Sequence, residues 1–400
     1  MTSTLLVVVA LLLLLLFLQP RLLRSERWRA TVTPLASIIG SGFLVAGPIL
    51  AHAVGSWAWL AMLGLCVAAW IYGAALRHNI RYVEPQLESG PAPLRIIEQL
   101  SDLALAFAYF VSVAYYLNLF AAFGLRLGGV VDPFWIRVTA TTVIAALGLL
   151  GATRGLRGME HLEVLAVGLK LAAIGGLLAA LALVNGSDLA AGQWQWSIAA
   201  ELEGFEQWRV VMGLLILVQG FETSRYLGSS YSAELRISSM RHAQLIAAAI
   251  YLLFLLGVTA YFTPGLEAQG GETAIIDLLT PLGAAVAPVL IVAALASQLS
   301  AATADMNGAS GLVAESTRQR VPVAWGNAAT AAIAIVITWW ANLFQIIAIA
   351  SQVFVAYYAL QSLQATRSCW QMGRRWRAIL FAVATLLGLV IVVFAAPAEA

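Results

Sequence analysis

Charge is scarce in this chain. Asp, Glu, Lys and Arg make up 10% of its 400 residues, against about a quarter in soluble domains, while 61% are hydrophobic. A soluble fold of that composition would carry large apolar patches on its surface, so an ordinary globular domain is excluded. Cysteine is nearly absent. Cys66 and Cys369 show no C-x-x-C spacing and no histidine cluster, which excludes a disulfide framework and predicts no bridge between them. The four histidines, His52, His78, His161 and His242, scatter over helix ends and loops and offer no transition-metal site. No G-x-S-x-G elbow, H-E-x-x-H pair or nucleotide-binding glycine loop occurs, so neither an enzyme, an ATPase module nor a cofactor is expected. No basic groove with interleaved aromatics accompanies the net charge of +2, so nucleic acid is not an expected partner.

What the chain has instead is apolar length. A helix crosses roughly 30 Å of hydrocarbon with about 20 residues. Twelve stretches qualify: 5–19, 34–54, 57–76, 98–124, 135–152, 161–184, 209–227, 242–262, 284–313, 323–341, 343–364 and 377–396. The first resembles a signal-peptide core but lacks a basic start and runs into Gln19-Pro20-Arg21, so it is expected to be retained. Arginines fall almost entirely in alternate gaps: Arg21 to Arg29, Arg77 to Arg95, Arg154 and Arg157, Arg225 to Arg241, Arg318 and Arg320, and Arg367 to Arg377. The intervening gaps hold acids such as Asp132, Asp188, Glu201, Glu206, Glu267, Glu272 and Asp277. Positive residues stay on the cytoplasmic side. Both termini are therefore expected outside, across a cytoplasmic (inner) membrane spanned many times.

Two spans contain helix-weakening sequence. Gly40-Ser41-Gly42 interrupts the second stretch, and Gln219-Gly220-Phe221-Glu222 interrupts the seventh. Irregular backbone at membrane depth survives only where it faces protein or a watery cavity. Freed N–H groups at the first break can receive an anion or carboxylate; a notch for close packing is the plainer reading. Glu222 is ionisable within a span and is expected to brace the broken helix, by capping N–H groups, holding a proton, or pairing with Arg225. Two interrupted helices crossing in opposite directions suit a midplane site between inverted repeats, here 34–184 and 209–364.

Other embedded polar groups join these. Lys170 lies near mid-span, where an ammonium needs a partner or a lowered pKa; it is either a fixed charge in place of a coupling ion, a proton carrier, or a snorkelling side chain. Ser300, Thr303 and Asn307 share a helical stripe able to coordinate a cation or to bond neighbouring helices. Asp305 points partly aside and suits a gate against Arg225. Tyr109 and Tyr116, seven residues apart, can line a pocket wall with Ser112. Small residues Gly168, Ala172, Gly176 and Ala180 permit close helix approach. The loop 185–208, rich in tryptophan, suits an interfacial segment or a lid, and 264–282 an irregular connection with a short helix.

These motifs together resemble the amino acid–polyamine–organocation superfamily. Ile39-Gly40-Ser41-Gly42-Phe43 is similar to that family's first-core-helix opening, Gly220-Phe221-Glu222 to its sixth-helix break, and Glu234-x-Arg236 to its cytoplasmic joint. Lys170 falls where several proton-coupled members carry a lysine thought to stand in for sodium. The resemblance implies an all-α polytopic protein with a LeuT-type five-plus-five inverted repeat and twelve membrane helices. One extra helix with a basic loop (1–33) precedes the core, and a basic loop with a final helix (365–400) follows it. It further implies alternating-access movement of an amino acid, amine or similar small organic solute, with protons as the coupling ion. The solute would meet Gly40, Ser41, Gly42, Gln219, Gly220, Phe221, Tyr109 and Tyr116. Lys170, Glu222, Arg225, Ser300, Thr303, Asp305 and Asn307 would couple or gate. A transporter for an inorganic ion or non-amino-acid solute, or a receptor that binds without moving its ligand, remains the alternative. The extra helix, and a joint without the family's proline-rich run, set this chain apart from the simplest layout.

Overall fold

Leucine and valine dominate the first helix, α1 (Thr2–Phe17), and a four-residue turn at Pro20 then leads to α2 (Glu26–Ile38). The structure, a computed structural model, describes residues 2–40, 42–87, 91–156, 160–194, 199–228, 230–262 and 273–398, and the side chains of all of these except 160–164. Ser41, Arg157, Pro264, Glu267, Glu272, the middle of the tryptophan-bearing loop and the side chain of His161 lie outside that description. Helices α3 (Gly42–Val54), α4 (Ala58–Tyr82), α5 (Ala92–Arg126), α6 (Pro133–Thr153) and α7 (Glu160–Ala190) follow. The second half holds α8 (Phe205–Met212), α9 (Ala233–Val258), α10 (Ala274–Leu279), α11 (Val286–Ser316), α12 (Val323–Trp340), α13 (Leu343–Gln371) and α14 (Arg375–Phe394).

Local chemistry explains several helix starts. The Ser25 side chain caps α2 by accepting from Trp28 N–H at 3.4 Å, with Glu26 favourably placed in the first turn. That cap starts the helix at residue 26, well before the expected 34, and leaves Pro34 inside it. Asp132 caps α6 with Pro133 at its first position. Asn342 and Gln345 form a reciprocal capping box on α13, with bonds of 2.8 and 2.9 Å. At the other end of its helix, Asn185 bonds back to Leu181 O at 2.8 Å, and α7 runs on to Ala190 through residues that read as a loop.

Among the described residues, nine helical stretches are long and apolar enough to cross a bilayer, one of them the run Glu26–Tyr82. The difference from the twelve expected stretches has three physical sources. Residues 34–54 and 57–76 fall in that single run, α1 is only 16 residues long, and 209–227 is too irregular to count as one helix. The chain is an all-α, multi-pass membrane protein. By the pattern of the gaps, the described arginines other than Arg126, Arg137 and Arg209 belong to one side of the spans. Two of those three pair with acids, Arg126 with Asp277 and Arg209 with Glu206.

Glycines set the closest helix contacts. Along the α5–α11 interface a Cβ on Gly308 would lie 2.8 Å from the Tyr109 ring, and one on Gly124 3.4 Å from Leu295. The small-residue stripe of α7 is the bed for α1: a Cβ on Gly176 would reach within 2.5 Å of Leu6 O. Elsewhere α13 packs on α5 and α14, α12 on α6, and α9 on both α2 and α4.

Candidate functional site

Helical continuity fails twice, and the two failures meet. The last helical turn of α2 ends at Ile38, Ile39 leaves helical geometry (φ −86°, ψ 63°), and α3 begins at Gly42. In the second half α8 stops at Met212, a tight turn spans Leu215–Val218, and Gln219 is extended. Gly220 then takes φ +113°, where a Cβ would lie 2.6 Å from Ser37 and from Ile38 N. Only glycine gives the second break both that backbone and that close approach to α2. Gly40 rests beneath the Tyr116 ring and Gly42 beneath Leu217 and the Tyr115 hydroxyl, each with 3.0–3.1 Å for a Cβ.

Freed backbone groups at the breaks find side chains remote in sequence. Ser351 on α13 accepts from Ile216 N–H at 2.9 Å and donates to Gly213 O at 2.6 Å. The Tyr251 hydroxyl on α9 sits between Ile38 O, at 3.1 Å, and Leu217 O, tying one break to the other. Gln219 donates to the Tyr116 hydroxyl at 3.2 Å. Neither Ser351 nor Tyr251 stands out in the sequence; a hydroxyl in mid-span was the available signal.

Around the second break lies an aromatic box with a carboxylate in it. Glu222 Oε2 accepts from Gly220 N–H at 2.9 Å and from Tyr358 OH at 2.7 Å. Phe221 stacks on Tyr358 with ring centres 4.9 Å apart, and Tyr109 meets Phe354 edge-on at 5.9 Å. Glu222 Oε1 and Gln219 Oε1 are buried and without hydrogen-bond partners. Two unsatisfied acceptors three residues apart mark a break where a donor group would be welcome.

Lys170, the only lysine of the chain, reaches from α7 to the first break. Its Nζ donates to Ala36 O at 2.6 Å, to Ile39 O, and to Ser297 Oγ at 3.2 Å. Main-chain carbonyls and a hydroxyl converging on one point are the ligands a hard cation takes, and here they close on an ammonium. A cavity of about 10 Å³ beside it is bounded by Gly40, Phe43 and Ser297. Of the polar residues on α11, Ser297 reaches Lys170, whereas Asp305 bonds Ser112 on α5. Thr303 turns back to Leu299 O and Ser300 O, at 3.0 and 2.8 Å, and the Ser300 hydroxyl is buried without a partner. Asn307 is half-buried one turn further on, so the stripe does not assemble around Lys170.

Arg225 lies toward the arginine-rich face and pairs with neither Glu222 nor Asp305. Its partners are Glu98 on α5, at 2.6 Å, and Gln361 on α13. Gln361 in turn receives Asn79 Nδ2 at 2.8 Å. Arg236 donates to Glu84 at 2.6 and 3.0 Å and to the Arg225 carbonyl at 2.6 Å. Tyr226 reaches Asp102 at 3.3 Å and Tyr357 at 3.5 Å. Asn79 lies in the last turn of α4, Glu84 just beyond it, and Glu98 in the second turn of α5. At the opposite face His52 meets Glu201 at 2.9 Å. Between the faces, Tyr109, Tyr116, Lys170, Gln219, Phe221, Glu222 and Asp305 are all no more than 5% exposed, so the centre is occluded from both sides.

Two broken membrane helices face each other here around a buried carboxylate and a buried lysine, the arrangement of a solute carrier. The chain belongs to the APC superfamily transporter family, whose profile matches residues 20–395 and so begins just after α1. It is 38% identical over 390 residues to an uncharacterized protein of Aquifex aeolicus (strain VF5), covering 96% of this chain and 94% of that protein. Its fold is similar to that of a Na+-coupled sialic acid symporter in a substrate-bound outward-open state, at 13% identity and a TM-score of 0.56, covering 100% of this chain and 98% of the other. The architecture is LeuT-like. The protein is a secondary active transporter of a small solute across a membrane.

Proposed function

We propose that this transporter carries a small organic solute bearing a carboxylate and an amine, an amino acid or a close relative, in exchange for or together with protons. The backbone around Gly40, Ser41 and Gly42 would receive the carboxylate at the start of α3. The unpartnered oxygens of Gln219 and Glu222 would receive the amine, and Phe221, Tyr109 and Tyr116 would wall the pocket. The observation that carries the coupling is the Lys170 ammonium, held by carbonyls of Ala36 and Ile39 and by Ser297. An ammonium in an oxygen cage supplies the charge that a sodium ion would otherwise bring, and losing its proton would release the α2 end from α7 and α11. Residues 34–184 and 209–364 would form the inverted repeats, flanked by one helix on each side to make twelve. The arginine-rich face would be cytoplasmic, with both termini outside the inner membrane. Arg225 and its partners would form the cytoplasmic gate, with Asp305 braced by Ser112 beside it.

A second reading replaces the amino acid with an acidic solute lacking the amine and the proton with sodium. The fold likeness to a Na+-coupled sialic acid symporter favours it. Counterflow in liposomes separates the two. Purified protein is loaded with a library of amino acids, amines, acidic sugars and inorganic ions, with and without a pH or sodium gradient. Exchange of an amino acid or amine, accelerated by the pH gradient alone, is the expected result. Sodium-dependent exchange of a non-amine acid sinks the first reading for the second. Binding without any exchange makes the protein a receptor.

A further inference from the structure

Arg77, near the arginine-rich end of α4, is charged and only 6% exposed, yet no carboxylate pairs with it among the described residues. It lies on α4 and donates to Gln244 Oε1 on α9 at 2.5 Å and to the Trp70 carbonyl at 3.3 Å. The guanidinium stacks over the Trp70 ring at 4.5 Å. These neutral partners leave its charge uncompensated, and Arg241 close by adds more of the same sign. An unpaired charge held in low dielectric calls for an anion.

The space beside it says which kind. A groove of about 180 Å³ runs between α4 and α9 from Trp70 and Gln244 toward mid-membrane, past Ile38, Val218, Tyr251 and Leu252. Its rim residues Val67 and Leu245 are 50% and 56% exposed, so it opens sideways to hydrocarbon. We infer that this groove binds one anionic phospholipid, its phosphate at Arg241 and Arg77 and one acyl chain lying between α4 and α9. Basic pockets between membrane helices hold anionic headgroups by this charge match. A small free anion would satisfy the arginines but leave the apolar groove unexplained. The acyl chain would touch Ile38 and Val218, the residues leading into each break, and Tyr251, whose hydroxyl ties the breaks together. A bound lipid would therefore brace the two broken helices from behind, independently of which solute they grip.

The test uses the full-length protein, stripped of lipid in detergent and titrated with phosphatidylglycerol or phosphatidylcholine, with bound lipid counted by native mass spectrometry. Phosphatidylglycerol should bind at least about tenfold more tightly, the equivalent of about 1.4 kcal/mol. Arg241→Gln, at an exposed position, and Ala248→Trp, which fills the groove, should each remove that preference while phosphatidylcholine stays at background. Thermal unfolding in lipid-free detergent shows whether Ala248→Trp is folded; if it is not, Arg241→Gln decides alone. Equal binding of the two lipids, or a wild-type preference in either folded variant, overturns the inference. So does stabilisation by sodium phosphate alone that matches phosphatidylglycerol and persists in Ala248→Trp.

Discussion

The two ends of the molecule are closed by different means. At the arginine-rich face, a buried guanidinium on the stretch after the second break bonds α5 and α13, and Arg236 ties that same stretch to α9 and Glu84. At the opposite face, among the described residues, the ion pairs His52–Glu201, Arg126–Asp277 and Arg209–Glu206 each have at least one well-exposed partner. Removing one partner of a buried pair strands a charge, while an exposed pair contributes little. Under the proposed function, the arginine-rich end is therefore the costlier of the two to open, and the protein should relax more readily toward the other side.

Breaking that asymmetry should have the largest effect. Arg225→Ala leaves the half-buried Glu98 without its cation, at a cost of at most about 3–5 kcal/mol to this closed end. A cysteine at Ser224, fully buried in the closed form, should then react with a membrane-impermeant maleimide in a background lacking Cys66 and Cys369. No gain in reactivity would mean that apolar packing, not the ion pair, holds this end shut. Next comes Gly220→Ala, which sets a side chain at φ +113° against Ser37. Backbone strain alone should cost about 1–3 kcal/mol, seen as a lower unfolding temperature together with lost exchange. An unchanged melting curve would show that the second break does not press on α2 as described. The smallest effect belongs to Arg126→Gln at the opposite face, within about 1 kcal/mol in unfolding and with exchange preserved. A loss as large as that of Arg225→Ala would erase the contrast between the gates.

What could be read from the chain follows the range of each interaction. Span positions rest on local hydropathy, and the interruptions on glycines at Gly40, Gly42 and Gly220, so both are legible over a few residues. Family likeness was legible for the same reason, since it rests on those short motifs. The early start of α2 was hidden because Arg27 and Arg29 read as loop, whereas Ser25 caps a helix that projects beyond the apolar core. The partners of the breaks were hidden more deeply. Ser351 is 135 residues from Ile216, and Glu98 is 127 from Arg225. Only the packing of distant helices brings them together, and a glutamate at the start of α5 has the same local surroundings as a solvated one. Arg77 belongs with these: its lack of an acidic partner among the described residues is a fact of three dimensions.

Lys170 is where the account is most exposed, because a cage of oxygens closed on an ammonium is its reason for coupling transport to protons. The direct measurement is proton movement in sodium-free proteoliposomes, read by a lumenal pH dye as the exchanged solute is added. Wild-type protein should shift the lumenal pH with the solute, and Lys170→Gln should exchange solute without moving protons. A proton signal that survives in Lys170→Gln, or one that never occurs in the wild type until sodium is supplied, would contradict it.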